Sequence, residues 1–298
     1  MKILIPIDGT ECSSDAAEQA VHFIKHYGAE ATALYVVNTK LIRETSHQSE
    51  FFDTKTLHGI LEKSIYEKGG EFLSEIKKLF AAEGVSVKTK IREGEPVDEI
   101  IDEAKELPAT MIIMGSLKSG SRIALGSIAD RVVREAYCPV MIISPKAKIT
   151  DIKRLLVPVD GSKYSRKSAE FAVSIAKKTG AFVEVLHVVN DYAISYSSAI
   201  AGVSPEDREK LVESYKKDAG QKYVSEAQAV GKVAGLNLAS NIRVGNPAEE
   251  IVKEAEEKKF DLIVIGSRGM GHVGRLLIGS VTGAVINLSS KPVLIVRS

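Results

Sequence analysis

One set of sequence landmarks occurs twice in this chain of 298 residues, about half a length apart. Lys2–Thr10 returns as Arg154–Ser162, and Met111–Ser116 returns as Leu262–Ser267. A chain of this length fits two domains of roughly 150 residues each. The repeat therefore predicts two copies of one domain, which we place at residues 1–145 and 153–298.

Short apolar runs alternate with segments of helical periodicity in each half. In the second half, Leu155–Val159 and Phe182–Val189 are predicted strands, and Leu262–Ile265 is apolar on both faces. Strands of this kind belong to a parallel sheet that helices cover on both sides. We therefore predict an α/β protein made of two tandem, doubly wound, five-stranded parallel-sheet domains.

Local signals place the ends of several helices. Gly28 and Gly180 each follow an apolar stripe at helical spacing, where glycine commonly ends a helix. Asn246–Pro247 has the residues preferred at an N-cap and at the first helical position. A further helix is predicted over 205–229, because proline starts it and two acidic residues occupy its first turn.

The fourth predicted strand of the second half leads into a glycine-rich segment. Gly266 and Gly269 are followed, after nine residues, by Gly279–Ser280 at a predicted helix start. Glycine lets the backbone approach an anion, and free amides at a helix N-terminus, here those near Gly279, Ser280 and Val281, donate to phosphate oxygens. The hydroxyls of Ser280 and Thr282 can add hydrogen bonds or cap the helix. The segment therefore predicts a phosphate-binding loop, which is neither a Walker A loop nor the dinucleotide fingerprint.

Two further residues lie at the same predicted edge of the sheet. Asp160 ends the first strand, and its carboxylate can accept hydrogen bonds from ribose hydroxyls. The backbone of Val188, where the second strand ends, can reach an adenine edge. A turn role is the alternative for Asp160, since Asp-Gly commonly marks a turn. We favour the ligand role because Asp160 shares this edge with the intact glycine-rich segment.

These motifs resemble universal stress protein domains. The resemblance rests on three motifs: Pro-x-Asp-Gly-Ser/Thr after strand one, Val-Val-Asn at the end of strand two, and Gly-x-x-Gly followed after nine residues by Gly-Ser. It covers essentially the whole chain, as a tandem pair of domains. It implies strand order 3-2-1-4-5 and a site for ATP, ADP or AMP, with any Mg²⁺ held through the phosphates. The candidate nucleotide-binding residues of the second half are Pro158, Val159, Asp160, Val188, Gly266, Ser267, Arg268, Gly269, Gly279, Ser280, Val281 and Thr282.

Some side chains near this site have two interpretations. Arg268 can pair with phosphate or be a solvated loop arginine. Tyr192 and Tyr196 can line the pocket or lie on the surface. His187 has Tyr35 as its counterpart, which favours a packing position over a catalytic acid or base.

The first half departs from the pattern in its glycine-rich segment. Ten residues separate Gly115 from Gly126, against twelve between Gly266 and Gly279, and Lys118 stands where the second glycine is expected. A shorter segment with a side chain there can lose the phosphate cradle, although a lysine can also hold an anion as a point charge. The candidate residues of this weaker site are Asp8, Val36, Gly115, Lys118, Gly126 and Ser127.

Composition narrows the classes of partner and compartment. The formal net charge of +1 gives no electrostatic argument for nucleic acid or an anionic membrane. No apolar run approaches the roughly 20 residues that span a bilayer, and no secretory signal is recognisable. Cys12 and Cys138 form no disulfide framework and suit a reducing compartment. We therefore expect a cytoplasmic protein that binds neither nucleic acid nor membranes.

The leading interpretation is an adenine-nucleotide-binding sensor or partner-binding module of the stress response. A catalyst would need a placed base or metal-binding carboxylates, and neither glycine-rich segment contains an acidic residue. We therefore expect no catalytic residues, no protein-held metal and at most very slow ATP hydrolysis. The alternatives are a slow ATPase or nucleotidyl-transfer enzyme on the same fold, and an interaction protein that has lost nucleotide binding in its first domain.

The last predicted strand of each half is apolar and lies at a sheet edge, and an open apolar edge invites pairing. These strands are Pro139–Ile143 and Pro292–Val296. In the family that the chain resembles, the equivalent strands pair across a dimer. We therefore predict that here they pair within one chain, as an intramolecular pseudo-dimer. Further association into a homo-oligomer is compatible with the sequence, which identifies no protein partner.

Overall fold

The computed structural model divides the chain into two compact units. The first unit comprises Met1–Leu117 and Leu125–Pro145, and the second comprises Lys118–Ala124 and Lys146–Ser298. The structure describes residues 1–40, 54–119, 122–145, 147, 149, 151–192, 194–195, 201–269 and 277–297.

The first half of the chain builds a five-stranded parallel sheet with flanking helices. In chain order, the elements are β1 (Lys2–Ile7), α1 (Glu11–Tyr27), β2 (Glu30–Asn38), α2 (Thr54–Ala82), β3 (Val87–Gly94), α3 (Pro96–Glu106), β4 (Met111–Gly115), β5 (Leu117–Ser119), β6 (Arg122–Ala124), α4 (Ser127–Glu135) and β7 (Val140–Ile143). β1 pairs with β2 and β4, β2 pairs with β3, and β4 pairs with β7, all in parallel. β5 and β6 form a separate two-stranded sheet within the glycine-rich segment of the first half, for which no strand was predicted.

The second half repeats this sheet. Its elements are β8 (Arg154–Pro158), α5 (Lys163–Thr179), β9 (Phe182–Val189), α6 (Pro205–Tyr215), α7 (Gln221–Val233), β10 (Ala239–Val244), α8 (Pro247–Glu257), β11 (Leu262–Gly266), α9 (Ser280–Leu288) and β12 (Val293–Val296). β8 pairs with β9 and β11, β9 pairs with β10, and β11 pairs with β12, all in parallel. Each half therefore has the strand order 3-2-1-4-5, and the predicted fold class is confirmed.

The predicted helix ends are also confirmed where local chemistry sets them. Gly28 and Gly180 end α1 and α5 in the left-handed conformation, with φ of 58° and 70°. The Asn246 side chain accepts hydrogen bonds from the first amides of α8. The helix predicted over 205–229 instead continues to Val233, and a π-helical turn over Lys216–Gly220 separates α6 from α7. A turn of this kind changes the phase of the helix, which hydrophobic spacing did not reveal.

The core of each unit lies between the central strands and the first helix. Leu155 and Leu156 of β8 have no exposed surface, and neither do Ala169 and Ala172 of α5. Small side chains on the buried face of α5 let this helix lie close to the sheet. The start of the helix is thereby fixed beside the carboxyl ends of the strands.

An arginine on the third strand of each unit pairs with a row of glutamates on the following helix. We call these groups the ion clusters. In the second unit, Arg243 of β10 pairs with Glu250, Glu254 and Glu257 of α8. In the first unit, Arg92 of β3 pairs with Glu99, Glu103 and Glu106 of α3. The central glutamate of each row is almost fully buried, so each cluster fastens a helix to the sheet through charges that water reaches poorly.

Glu254 lies beside a second buried carboxylate, Glu184 of β9. Burial alone would raise the pKa of Glu254, but hydrogen bonds with Glu184, Lys258 and Asn241 outweigh burial and lower it to about 2. The pKa of Glu184 is raised, first by its burial and then by its hydrogen bond with Glu254. The Lys258 ammonium lies 2.7 Å from Glu254 and 3.0 Å from Glu184. Of the two carboxyls, Glu254 therefore stays ionised and Glu184 takes up a proton more readily.

Glu254→Gln is expected to lower the free energy of unfolding by about 3 kcal/mol at neutral pH, because it leaves Arg243 without its buried partner. A carboxyl whose pKa is lowered on folding contributes stability above its ordinary pKa of 4.5. That contribution disappears as the pH falls from 4.5 towards 2. Urea unfolding followed by circular dichroism should therefore show that the difference in free energy of unfolding between wild type and variant decreases as the pH falls over this range.

Glu249→Gln is the matched control, since Glu249 is an exposed glutamate on the same helix. Its effect on the free energy of unfolding should stay within about 0.5 kcal/mol. Equal losses in the two variants, or a pH-independent loss for Glu254→Gln, would contradict the role assigned to this cluster.

Candidate functional site

The carboxyl ends of β8, β9 and β11 surround a cavity of about 270 Å³ in the second unit. The turn after β8 and the starts of α8 and α9 also contribute to its wall. All the predicted site residues of this half except Ser267 line the cavity. The lining residues are Pro158, Val159, Asp160, Ser165, Leu186, His187, Val188, Pro247, Ile251, Ile265, Gly266, Arg268, Gly269, Gly279, Ser280, Val281 and Thr282.

Asp160 uses one carboxylate oxygen to hold its own turn, and its other oxygen faces the glycine-rich segment. Oδ1 accepts a hydrogen bond from the Ser162 N–H at 3.0 Å, as in an Asx turn. A Cβ at Gly269 would lie only 2.6 Å from Oδ2, so glycine is required for the carboxylate to lie here. The turn role and the proposed ligand role of Asp160 are therefore compatible, because they use different oxygens.

An aromatic ring packs against the turn next to Asp160. Gly161 has a φ of 80°, and a Cβ there would lie 2.3 Å from the ring of Tyr223 on α7. Tyr223 in turn packs edge-on against His187, with ring centroids 5.2 Å apart. The Nδ1–H of His187 donates to the carbonyl oxygen of Val159 at 2.8 Å. We call Gly161, Tyr223 and His187 the brace; His187 is a packing residue, as predicted, that also lines the cavity.

The described ends of the glycine-rich segment are hydrogen-bonded to each other. The Gly279 N–H donates to the carbonyl oxygen of Ser267 at 2.9 Å, and the Thr282 hydroxyl donates to that of Gly266 at 2.8 Å. The Gly279 amide is therefore not one of the free amides that the sequence suggested, and the Thr282 hydroxyl already has an acceptor. Residues 270–276 of the segment lie outside the described part of the chain.

The start of α9 borders the cavity with the amides of Ser280 and Val281. Among the described residues, no side chain caps this helix at Gly279. Within the described ranges, the amides of Ser280 and Val281 have no hydrogen-bond acceptor. Unpaired amides and the helix dipole both favour an anion at such a position. This end of the cavity is therefore suited to a phosphate group.

Arg268 is only 8% exposed, so the interpretation as a solvated loop arginine is wrong. Its Nε–H donates to the carbonyl oxygen of Leu277, and its Nη1–H donates to the hydroxyl of Tyr164, both at 3.0 Å. The guanidinium carbon also lies 5.4 Å from the centre of the Tyr164 ring. Arg268 therefore joins the end of the glycine-rich segment to α5.

Three other residues considered for the cavity wall are Ser267, Tyr192 and Tyr196. Ser267 is buried away from the cavity, and its N–H donates to the carbonyl oxygen of Val296 at 2.9 Å. Tyr192 is 74% exposed and does not line the cavity, which supports its surface interpretation. Tyr196 lies outside the described residues.

Sequence reasoning missed the apolar wall that Pro247 and Ile251 contribute from the first turns of α8. A signal for it existed, because Pro96 and Ile100 occupy the same places in the first half and line the equivalent cavity. Both pairs stand four residues apart, which places them on one helix face.

The first unit has a cavity of about 290 Å³ at the equivalent place. Its predicted site residues line this cavity, apart from Lys118, whose side chain lies outside the described part of the structure. The brace is repeated with different residues: a Cβ at Gly9 would lie 2.2 Å from the Phe72 ring, which lies 6.2 Å from the ring of Tyr35. The lining residues are Pro6, Ile7, Asp8, Thr10, Cys12, Ser13, Leu34, Val36, Pro96, Ile100, Met114, Gly115, Gly126, Ser127, Ile128 and Ala129.

Asp8 holds its turn through two hydrogen bonds to one carboxylate oxygen. Its Oδ1 accepts hydrogen bonds from both the N–H and the hydroxyl of Thr10, at 3.0 and 2.6 Å. The pKa of Tyr35 is raised, first by burial and then by the negative charge of Asp8. The first cavity therefore keeps its acidic residue with a different set of neighbours.

Three further observations concern the chemistry of the chain as a whole. Cys138 is buried, and burial raises the pKa of its thiol to about 11, which fits an inert thiol. No helix in the described ranges is both long and apolar enough to cross a bilayer. Among the same residues, no three His, Cys, Asp or Glu side chains lie where they could hold a metal ion together.

Comparison with known proteins places these two units in one family. The sequence matches the model of the universal stress protein family over residues 1–144 and 151–297. Universal stress protein MJ0531 of Methanocaldococcus jannaschii is 34% identical over 149 residues, which are 49% of this chain and 84% of that protein. Universal stress protein YxiE of Bacillus subtilis is 36% identical over 146 residues, which are 48% of this chain and 98% of that protein.

A solved structure supports the fold over both halves. The crystal structure of a universal stress protein from Archaeoglobus fulgidus covers 99% of this chain and 98% of its own, with a TM-score of 0.69. The sequence identity of 24% limits this likeness to the fold.

Gly161→Ala is expected to lower the free energy of unfolding by about 3 kcal/mol, because a positive φ costs about 1–2 kcal/mol and overpacking against Tyr223 adds a similar amount. Gly180→Ala is the matched control: its φ of 70° is similar, but a Cβ there would meet nothing within 4 Å. Urea unfolding should therefore show the larger loss for Gly161→Ala, and Tyr223→Leu should recover part of it. If the two glycine variants lose the same stability, the brace does not press on this turn.

Proposed function

We propose that this chain, which belongs to the universal stress protein family, binds an adenine nucleotide in the cavity of its second unit. The observation that carries this proposal is the meeting of three chemically different groups around one cavity. They are the carboxylate of Asp160, the free amides at the start of α9, and the apolar wall of Pro247 and Ile251.

The apolar wall and the end of β9 suit the base and the sugar. Pro247 and Ile251 offer an apolar surface for a flat ring, and the backbone of Val188 borders the same space. Oδ2 of Asp160 faces the glycine-rich segment and can accept a hydrogen bond from a ribose hydroxyl.

The start of α9 suits the phosphates. Ser280 and Val281 supply amides, and the Ser280 hydroxyl is exposed beside them. Any Mg²⁺ would be held mainly by the phosphates, since Asp160 is the only carboxylate among the described lining residues. For the same reason we propose binding with at most very slow hydrolysis.

The proposed role is that of a sensor whose surface depends on its ligand. A phosphate chain bound at Ser280 and Val281 would lie beside Gly269 and Gly279, two described residues of the glycine-rich segment. A ligand that prefers one arrangement of this segment raises the population of that arrangement. A protein partner that recognises the segment would thereby respond to the nucleotide.

One experiment tests the whole proposal. Ligand released from the purified protein by denaturation is identified by mass spectrometry, and ATP binding and turnover are then measured for wild type and Gly279→Val. A Cβ at Gly279 would already lie 3.3 Å from Cα of Arg268, so valine should push the two ends of the segment apart and abolish binding. Turnover of several ATP per minute, lost in the variant, would favour an enzyme, and no nucleotide binding by wild type would refute the proposal.

Asp160→Asn should weaken ATP binding by about tenfold or more, because a charged acceptor for ribose hydroxyls is lost while the turn bond at Oδ1 can persist. Asp8→Asn makes the same change in the first unit and is the matched control. Isothermal titration calorimetry should show the tighter binding event weakened by Asp160→Asn and unaffected by Asp8→Asn. The reverse pattern would assign the tighter site to the first unit.

A further inference from the structure

We propose that Arg268 and Tyr164 act as a latch: they fix the ends of the glycine-rich segment before a ligand arrives and do not themselves hold phosphate. The inference rests on the proposed nucleotide site and assigns Arg268 a positioning role within it. It replaces the earlier alternatives for Arg268, which were a phosphate contact and a solvated side chain.

The contacts of Arg268 connect three parts of the site. Its side chain donates to the carbonyl oxygen of Leu277, at one end of the segment, and to the hydroxyl of Tyr164, on α5. Its own carbonyl oxygen accepts the Ser162 hydroxyl at 3.4 Å, so it also contacts the Asp160 turn. An arginine with its Nε and Nη1 engaged in this way is already oriented, and it is 8% exposed.

The latch is next to the hydrogen bond that joins the two described ends of the segment. The N–H of Gly279 donates to Ser267, the residue before Arg268, at 2.9 Å. A Cβ at Gly279 would lie 3.3 Å from Cα of Arg268, so the two chain ends are in close contact. Holding Leu277 against Arg268 therefore also holds Gly279 in place, with the amides of Ser280 and Val281 facing the cavity.

The internal repeat provides an independent observation. By alignment of the two halves, Cys12 stands at the place of Tyr164 and Leu117 at the place of Arg268, so both members of the pair are replaced together. Within the described ranges of the first half, no hydrogen bond joins the Gly126 amide to Ser116. In the part of the first half that the structure describes, the replaced pair is thus accompanied by the absence of this hydrogen bond.

The latch is expected to raise the affinity for ATP by fixing part of the binding site before ATP binds. When Arg268, Leu277 and Gly279 are already held in place, less conformational entropy is lost on ligand binding. The effect should be confined to ligands that reach the start of α9, so it should appear for ATP and be absent for adenosine. A general loss of packing would weaken both ligands.

The test uses Tyr164→Phe, Arg268→Leu and the double variant in the full chain. Arg166→Leu is the matched control, because Arg166 is an exposed arginine on the same helix, paired with Glu170. Amide exchange of Gly279 is measured by NMR without ligand, and dissociation constants are measured for ATP and for adenosine. Removing a hydrogen bond to a charged group should weaken ATP binding by about tenfold, with exchange at Gly279 accelerated by a similar factor.

If the latch exists, the double variant should bind ATP about as weakly as Arg268→Leu does. Adenosine should bind equally to all variants, and Arg166→Leu should bind both ligands as wild type does. Any of three results would overturn the proposal. Tyr164→Phe could bind ATP as tightly as wild type, the double variant could lose affinity by the product of the two single factors, or adenosine binding could weaken as much as ATP binding. If wild type binds no ATP, the proposed function fails separately. Gly279 exchange in the ligand-free variants would then still decide whether the pair orders the segment.

Discussion

The first helix of each unit begins in direct contact with the end of the fourth strand, and the cavity depends on this contact. A Cβ at Gly266 would lie 2.8 Å from the carbonyl carbon of Tyr164, and one at Gly115 would lie 2.2 Å from the carbonyl oxygen of Cys12. Only glycine lets the two backbones approach so closely. The Asp-Gly turn precedes the helix and the glycine-rich segment follows the strand, so the contact brings together two segments that are distant in the chain. Asp160 and Gly269 meet for this reason.

Features set by local chemistry could be predicted from the sequence. Gly180 and Asn246 mark helix ends because their effects act within one turn, and the repeat fixes the strand order once one half is assigned. The brace, the ion clusters and the contacts of Arg268 could not be predicted. Each joins side chains from separate elements, and the relative rotation of those elements is set only by packing. The π-helical turn before Tyr223 adds to this, because it changes the phase of the helix without a clear mark in the sequence.

Different interactions shape each cavity near its acidic residue and near its glycine-rich segment. Near the acidic residue, both units have an aromatic ring packed against a glycine with positive φ. This ring is Tyr223 in one unit, where it contacts His187, and Phe72 in the other, where it contacts Tyr35. Packing of this kind tolerates exchange of one aromatic residue for another. At the glycine-rich segment, the second unit has a hydrogen bond from the Gly279 N–H to the carbonyl oxygen of Ser267, and the described residues of the first half do not repeat this bond.

The ion clusters suggest how two copies of one domain can diverge unevenly. Removing one partner of a buried ion pair leaves the other charge unpaired, which costs more than replacing the whole group with apolar residues. A first substitution in the Arg243 cluster would therefore lower the free energy of unfolding, which opposes stepwise change of the cluster. The acceptors of the Arg268 side chain are neutral, the Tyr164 hydroxyl and the Leu277 carbonyl oxygen, so its loss leaves no unpaired charge on either of them. A change to leucine and cysteine, which the first half has at these two places, therefore meets no such barrier. On this view, the order in which mutations are tolerated, as much as selection for a ligand, decides which parts of a duplicated fold remain alike.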